Sequence, residues 1–409
     1  MIRSGALVLA WALGVYAALG GLPTQASHEL HLSLAHHALE SATTLSSIRW
    51  NGGQSMAGHP PLFHQVVALL ARVPGVGLER AYAALMALLP VLLTFALSLL
   101  VERTSSRSAG HVAAWLCAAH PLLFQYVFPY GQGPFTLGVA LALAAGACWA
   151  TSNSWRGVVA GGALAVASVS SHAAAVVALA VAGVLALCVQ PSWKRRVAII
   201  ISALVAAGVA VWLLAPFIEA MRAAVATPGS KLLAPRSAVG AIVIGLSMWS
   251  AVVALSIGRV PGRVVGVATL ACAGLSFVSG RVGVAPDKWV WLAAMCIPMC
   301  WAFASEAVER VAWLRASVTA VVALSGATSA WLLGRDDTRY GTRNRALREA
   351  RAALEEPGAA NFRYLTLGVG TERFEMARYV WARSADTGVP WVAAAPLRGT
   401  PFLSVDELP

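Results

Sequence analysis

Residues 27–65 contain the densest group of side chains in this sequence that could do chemistry. Glu29 and Glu40 lie there with six of the nine histidines, namely His28, His31, His36, His37, His59 and His64. Glutamate and histidine are common proton-transferring groups in enzymes, and both bind metal ions. We therefore expect either general-base catalysis or metal binding in this stretch.

The spacing of these residues distinguishes between the metal-binding and the general-base hypotheses. His28-Glu29-Leu30-His31 does not match HExxH, in which two histidines one helical turn apart converge on a zinc ion. His36 and Glu40 do have the i, i+4 spacing, so a divalent metal remains an alternative. We predict no metal site and no cofactor, with Glu29 as general base and with His31, His36 and Glu40 in contact with substrate.

Residues 27–42 are predicted to form the helix that positions these groups, since Ser27 can cap its start and Glu29 lies in its first turn. At 100° per residue, one side carries Glu29, Ser33, His36 and Glu40, and a neighbouring side carries Leu32, Ala35 and Leu39. Such a helix lies flat on a membrane. Its polar stripe then faces either water, as a solvated surface, or a cleft.

The composition indicates a membrane protein. The 409 residues are 58% hydrophobic and only 12% charged, and the mean hydropathy is +0.70. The net charge of +12 does not indicate nucleic-acid binding, because the basic residues stand singly or in short groups between apolar runs. We expect an all-α polytopic protein of the cell membrane whose partner is the lipid bilayer.

About eleven apolar segments are long enough to be candidate transmembrane helices. They cover residues 5–22, 80–101, 110–127, 134–151, 157–171, 173–190, 197–217, 237–257, 262–280, 289–305 and 316–333. Residues 61–73 are too few to cross and are predicted to form an interfacial helix. Basic residues in alternate loops predict a cytoplasmic N-terminus, so the loop of residues 24–79 faces outward.

The sequence divides into a membrane domain, residues 1–333, and a tail, residues 334–409. The tail is predicted to be extracytoplasmic, with a helix over residues 344–354 and short strands over 363–368 and 392–395. About 75 residues form at best a small domain, so the tail is either a small α+β unit or part of a larger one.

Several short motifs resemble those of membrane glycosyltransferases of the GT-C class. They are Arg49-Trp50-Asn51-Gly52-Gly53, His59-Pro60-Pro61-Leu62-Phe63, Pro129-Tyr130-Gly131-Gln132-Gly133-Pro134-Phe135, Ser171-His172, Asp287-Lys288 and Phe362-Arg363-Tyr364-Leu365-Thr366-Leu367-Gly368. The chain is most similar to the branch of membrane proteins called 6-pyruvoyl-tetrahydropterin synthase-related. Pterin chemistry itself is rejected, because no histidine zinc site in a small α+β domain is evident.

The resemblance implies transfer of a sugar from a polyprenyl-phosphate donor to a glycan, lipid or protein acceptor on the outer face. It implies a carboxylate base soon after the first helix. Where the family has Asp, about four residues before His31, this chain has Ser27, and the nearest acid is Glu29. Cations near the outer helix ends would bind the lipid phosphate. The candidates are Lys288, Arg281 and Arg236, although Lys288 could instead pair with Asp287 on the surface.

The remaining candidate residues each have a structural alternative. Trp50 and Tyr130 could stack on a sugar, but aromatic residues are common at membrane interfaces. His59 stands before two prolines, which form a rigid turn in any case. His172 lies in a predicted outer turn, where it caps the loop or contacts phosphate or acceptor.

Two other functions remain alternatives to the transferase. A catalytically inactive scaffold of the same fold is compatible with the weak acidic motif. A transporter or flippase of lipid-linked sugars is less well supported, because the predicted spans contain almost no charge and the sequence has no internal repeat.

Overall fold

The computed structural model describes residues 2–19, 31–32, 34–35, 38–39, 60–128, 131–151, 155–224, 238–278, 286–308, 320, 322–328, 364–365 and 391–392. The helices are α1 (Ile2–Leu19), α2 (Leu62–Ala71), α3 (Gly77–Thr104), α4 (Arg107–Ala118), α5 (Pro121–Val127), α6 (Gly133–Thr151), α7 (Trp155–Ser171), α8 (Val176–Val189), α9 (Trp193–Ala224), α10 (Ala238–Ile257), α11 (Val260–Val278) and α12 (Pro286–Val308). A 3₁₀ turn, Ala173–Ala175, precedes α8. Helical residues also occur within 31–39 and 320–328.

Six helices in the described part are long and apolar enough to cross a bilayer. They are α3, α6, α9, α10, α11 and α12, and each coincides with a predicted span. The helices α1, α2 and α8 are apolar but shorter, and the 10-residue α2 has the length expected of an interfacial segment. The total of about eleven spans therefore stays a prediction.

The segment predicted as one span over residues 110–127 is instead two helices, and this prediction was wrong. The helix α4 ends at Ala118 and α5 begins at Pro121. His120 between them is extended, with φ −69° and ψ 114°. Proline lacks an N–H and disfavours helical geometry in the residue before it, so the chain turns here.

The helices α3 and α6 lie at the centre of the bundle. The helix α3 packs against α1, α2, α4 and α6, and α6 packs against α7 and α8 as well. The helices α10, α11 and α12 form a second group, joined to the first through contacts of α12 with α4. The main core therefore joins the two groups and includes Leu32 and Ala35 from the loop after α1. A separate cluster with Trp149, Ala165 and Ile199 lies between α6, α7 and α9.

The helix α1 is anchored to α3 by one arginine. Arg3 Nε donates to Ser98 Oγ at 2.7 Å, Nη2 lies 2.8 Å from Glu102 Oε2, and the guanidinium lies over the ring of Phe95. The start of α1 thus lies beside the end of α3. This end of the bundle, which we call the basic end, also carries Arg103. It is the end predicted to be cytoplasmic, and its side of the membrane stays a prediction.

A groove of about 240 Å³ opens between α7, α8 and α9. Its walls are entirely apolar and include Ala165, Leu179, Ala206 and Leu214. The helix α9 is largely exposed along its apolar span. The groove therefore lies on the lipid-facing side of the bundle.

Two short strands, β1 (Tyr364–Leu365) and β2 (Trp391–Val392), pair in parallel in the tail. Each overlaps or adjoins one of the two strands predicted there. The predicted helix over residues 344–354 lies outside the described residues, so the division of the chain at residue 333 stays a prediction.

Candidate functional site

The start of α6 is held in place by side chains of its own first turn and of α7. Gly131 has φ +61°, a left-handed conformation that glycine adopts without steric cost. Thr136 Oγ1 donates to the carbonyl oxygen of Gln132 at 2.9 Å. Ser171 Oγ donates to the carbonyl oxygen of Pro134 at 2.7 Å. The Gln132 carbonyl also accepts from the Thr136 N–H at 3.0 Å, so the hydroxyl bonds add to the helical ones, and the Ser171 bond ties the first turn of α6 to α7.

Phe135 lies at the centre of a cluster formed with two other elements, the turn at His172 and α12. Its ring is fully buried. The ring of His172 lies 5.1 Å away and that of Trp291 lies 5.2 Å away, centroid to centroid. The ammonium nitrogen of Lys288 lies 5.8 Å from the Phe135 centroid. The sequence suggested His172 and Lys288 as two separate candidate site residues. In the structure, both lie around the ring of Phe135.

His172 caps the 3₁₀ turn that precedes α8. Its Nδ1 accepts a hydrogen bond from the backbone N–H of Ala174 at 3.1 Å. A ring nitrogen that accepts a hydrogen bond cannot itself carry a proton. The proton of the neutral His172 ring is therefore on Nε2. The capping role expected from the sequence is thus observed.

Lys288 and Asp287 occupy the first turn of α12. Asp287 is 2% exposed, so it does not form the surface ion pair that was considered for Lys288. Lys288 is half-buried, with its ammonium group over Phe135. A cation within about 6 Å of an aromatic centroid is attracted by the negative face of the ring.

A second cluster adjoins the first through Phe63 of α2. Phe63 contacts His31, His64 and Tyr82 edge-on, with centroids 6.0, 5.5 and 6.1 Å away. A Cβ built on Gly133 would lie only 2.8 Å from Phe63 Cζ, so the phenylalanine packs directly against the start of α6. The two clusters are therefore continuous. Tyr82 and Glu102 are 20 residues apart on α3, about 30 Å, so both clusters lie far from the basic end.

His31 joins the loop after α1 to this second cluster. His31 Nδ1 and His64 Nε2 share a hydrogen bond of 3.1 Å, and both side chains are buried. Leu32 and Leu34 are buried beside His31. The predicted amphipathic helix is thus helical where it is described, but it packs on the bundle and buries more than the predicted apolar side.

The described residues contain no group of three or more His, Cys, Asp and Glu side chains that could hold a metal ion. The sequence analysis missed His64, Phe63, Phe135 and Trp291 as members of these clusters. The pattern of α2, in which Phe63, His64, Val67 and Ala68 share the buried face, was the available signal for the first two. The other predicted site residues lie outside the described residues, namely Glu29, His36, Glu40, Trp50, His59, Tyr130, Arg236 and Arg281.

Comparisons with known proteins identify the fold. ArnT from Cupriavidus metallidurans bound to undecaprenyl phosphate is similar to this chain with a TM-score of 0.59 and 14% identity, over 95% of this chain and 86% of ArnT. ArnT in the apo state gives a TM-score of 0.50 and 14% identity, over 95% and 78%. The apo oligosaccharyltransferase from Archaeoglobus fulgidus gives 0.49 and 13%, over 82% and 56%.

No protein-family model and no curated protein matches the sequence. The structural likeness nevertheless shows the fold. The chain is a multi-pass membrane protein with the GT-C fold of ArnT, as the sequence resemblance predicted. The more specific resemblance to the 6-pyruvoyl-tetrahydropterin synthase-related branch is not confirmed.

Proposed function

We propose that this protein is a membrane glycosyltransferase that moves a sugar from a polyprenyl-phosphate donor to an acceptor hydroxyl. The observation that carries the proposal is the convergence of Lys288 and His172 on Phe135 at one end of a bundle with the GT-C fold. That fold is shared with ArnT, whose crystal structure holds undecaprenyl phosphate. A cation and a histidine N–H donor that both lie around the Phe135 ring suit a phosphate-linked sugar.

In the proposed reaction, Lys288 contacts the donor phosphate. The bond between the sugar C1 and the phosphate oxygen breaks, and the polyprenyl phosphate that leaves carries the additional negative charge. A positioned ammonium group stabilises that developing charge. His172 donates its Nε2–H to a phosphate or sugar oxygen, and Arg281 and Arg236 are further candidates for the phosphate.

The acceptor hydroxyl attacks C1 and loses its proton to a base, for which we propose Glu29. His31 is the described residue nearest to Glu29 in the sequence. Its bond to His64 supports the proposal that the loop lies at the end of the bundle that carries Phe63 and Phe135. His36, Glu40, Trp50, His59 and Tyr130 are proposed to contact the sugar or the acceptor. The outer face of the cell membrane is the proposed location.

The first test measures binding of undecaprenyl phosphate to the purified full chain by native mass spectrometry. Lys288→Gln removes one charge-assisted contact, so affinity should fall about tenfold to a hundredfold. Lys194→Gln is the matched control, because Lys194 lies in the first turn of α9 at the basic end and its change should leave affinity unaltered. Equal losses in the two variants would contradict the proposed phosphate site.

The second test measures transfer in proteoliposomes with radiolabelled polyprenyl-phosphate sugars and a membrane extract as acceptor. Glu29→Gln should abolish transfer and leave undecaprenyl phosphate binding intact, because a base acts on the acceptor. Normal transfer by this variant would remove Glu29 as the base. Lipid binding by the unmodified chain without transfer from any donor would favour the inactive scaffold.

A further inference from the structure

The ring of Phe135 is a fixed platform. It is fully buried between the rings of His172 and Trp291, on two other elements of the bundle. The backbone on both sides is fixed by α7, since Ser171 Oγ bonds to the Pro134 carbonyl and Ser168 Oγ to the Gly138 carbonyl, each at 2.7 Å. The ring therefore cannot rotate away without disturbing three helices.

The described residues contain two cations that lie over a phenylalanine ring, and their surroundings differ. Arg3 lies 5.6 Å from the Phe95 centroid, and Glu102 also neutralises its charge at 2.8 Å. Lys288 lies 5.8 Å from the Phe135 centroid. Among the described residues, no carboxylate oxygen forms an ion pair at 4.0 Å or less with Lys288.

A carboxylate and an aromatic ring have different effects on the charge of the Lys288 ammonium group. A carboxylate partner would cancel the charge of the lysine and occupy its N–H donors. An aromatic face attracts the cation through its quadrupole and leaves the charge in place. A lysine held over a ring is thus oriented and remains able to bind an anion.

We propose that Phe135 is a positioning residue for the donor phosphate, which it serves by holding the Lys288 ammonium group through a cation–π interaction. The inference rests on the proposed function, because it names the group that orients the lysine of that site. Phe135 itself does not touch the donor in this proposal; it acts through Lys288.

Fluorination of the Phe135 ring separates this role from simple packing. Each fluorine weakens the negative face of the ring and changes its size little. Replacement of Phe135 by mono-, di- and trifluorophenylalanine in the full chain should weaken undecaprenyl phosphate binding stepwise, by about threefold to tenfold at the end of the series. The matched control is the same series at Phe95, at the basic end, which should leave binding unchanged.

A second variant tests whether the effect passes through the lysine. Phe135→Leu should weaken binding in the unmodified chain and have no further effect in Lys288→Gln, whereas a packing role would weaken binding equally in both. Affinity that does not respond to fluorination, or equal losses in both backgrounds, would overturn the role of Phe135 and leave the proposed function standing. Absence of undecaprenyl phosphate binding by the unmodified chain would instead overturn the proposed function and this inference with it.

Discussion

Gly133 is the position where the packing of the site makes its sharpest prediction. A Cβ at this residue would lie 2.7 Å from Met86 Sδ, 2.8 Å from Phe63 Cζ and 2.9 Å from Phe63 Cε2. Carbon atoms in van der Waals contact are about 3.5–4.0 Å apart, so Gly133→Ala creates an overlap of roughly 0.7 Å or more with the ring.

The surroundings of Gly133 determine how that overlap is relieved. Met86 has a flexible side chain and can move its sulfur atom at little cost. Phe63 is fully buried and packed edge-on against His31, His64 and Tyr82, so its ring has no free direction. Overpacking of this kind costs about 1–3 kcal/mol. We expect Gly133→Ala to lower the free energy of unfolding by about 2 kcal/mol.

Titration with a denaturing detergent, followed by circular dichroism, measures this loss. Gly245→Ala is the matched control, because a Cβ at Gly245 within α10 meets nothing within 4 Å. That change should be neutral or stabilise by up to about 1 kcal/mol.

A double-mutant cycle then identifies the clashing atoms. Phe63→Leu removes the ring, so Gly133→Ala should cost less in that background than in the unmodified chain. The reasoning would be refuted by a Gly133→Ala variant as stable as Gly245→Ala, or by a cost that Phe63→Leu leaves unchanged.

Two further predictions compare a buried contact with an exposed one. His64→Leu removes the 3.1 Å bond to the buried His31, which should cost about 1–3 kcal/mol and speed limited proteolysis within the loop of residues 24–79. Glu102→Gln removes the ion pair with Arg3 but leaves the Arg3 bond to Ser98. The two paired side chains are 22% and 24% exposed, so the change should cost less than about 1 kcal/mol in the same detergent titration. A larger loss for Glu102→Gln than for His64→Leu would contradict this ranking.

The helical segments of this fold follow from the sequence, because a long apolar run has few alternatives to a membrane helix. The break at His120 did not follow from hydropathy, since that run is apolar on both sides of Pro121. Proline can be tolerated within a helix, and Pro90 lies inside α3 while Pro298 lies inside α12. Only the surrounding packing distinguishes the two outcomes.

The site was predictable in its parts and not in its arrangement. His172 and Lys288 stood out because polar residues are rare in this chain, and the two lie 116 positions apart. Their common neighbour Phe135 appeared only as the last residue of the motif over residues 129–135, and an aromatic residue in an apolar helix does not by itself indicate a site. The packing of α6, α7 and α12 determines which rings come into contact. The periodicity of residues along one helix does not predict how that helix packs against the others.

The apolar groove between α7, α8 and α9 also has a practical consequence for handling this protein. Atoms lining an unfilled void lose the dispersion contacts that neighbouring atoms would supply. In a bilayer, a hydrocarbon chain can fill the groove; after extraction, the solubilising agent must take its place. Straight-chain detergents should therefore preserve the bundle better than rigid steroid detergents, because a flexible chain follows the apolar groove walled by Ala165 and Ala206 more closely than fused rings do.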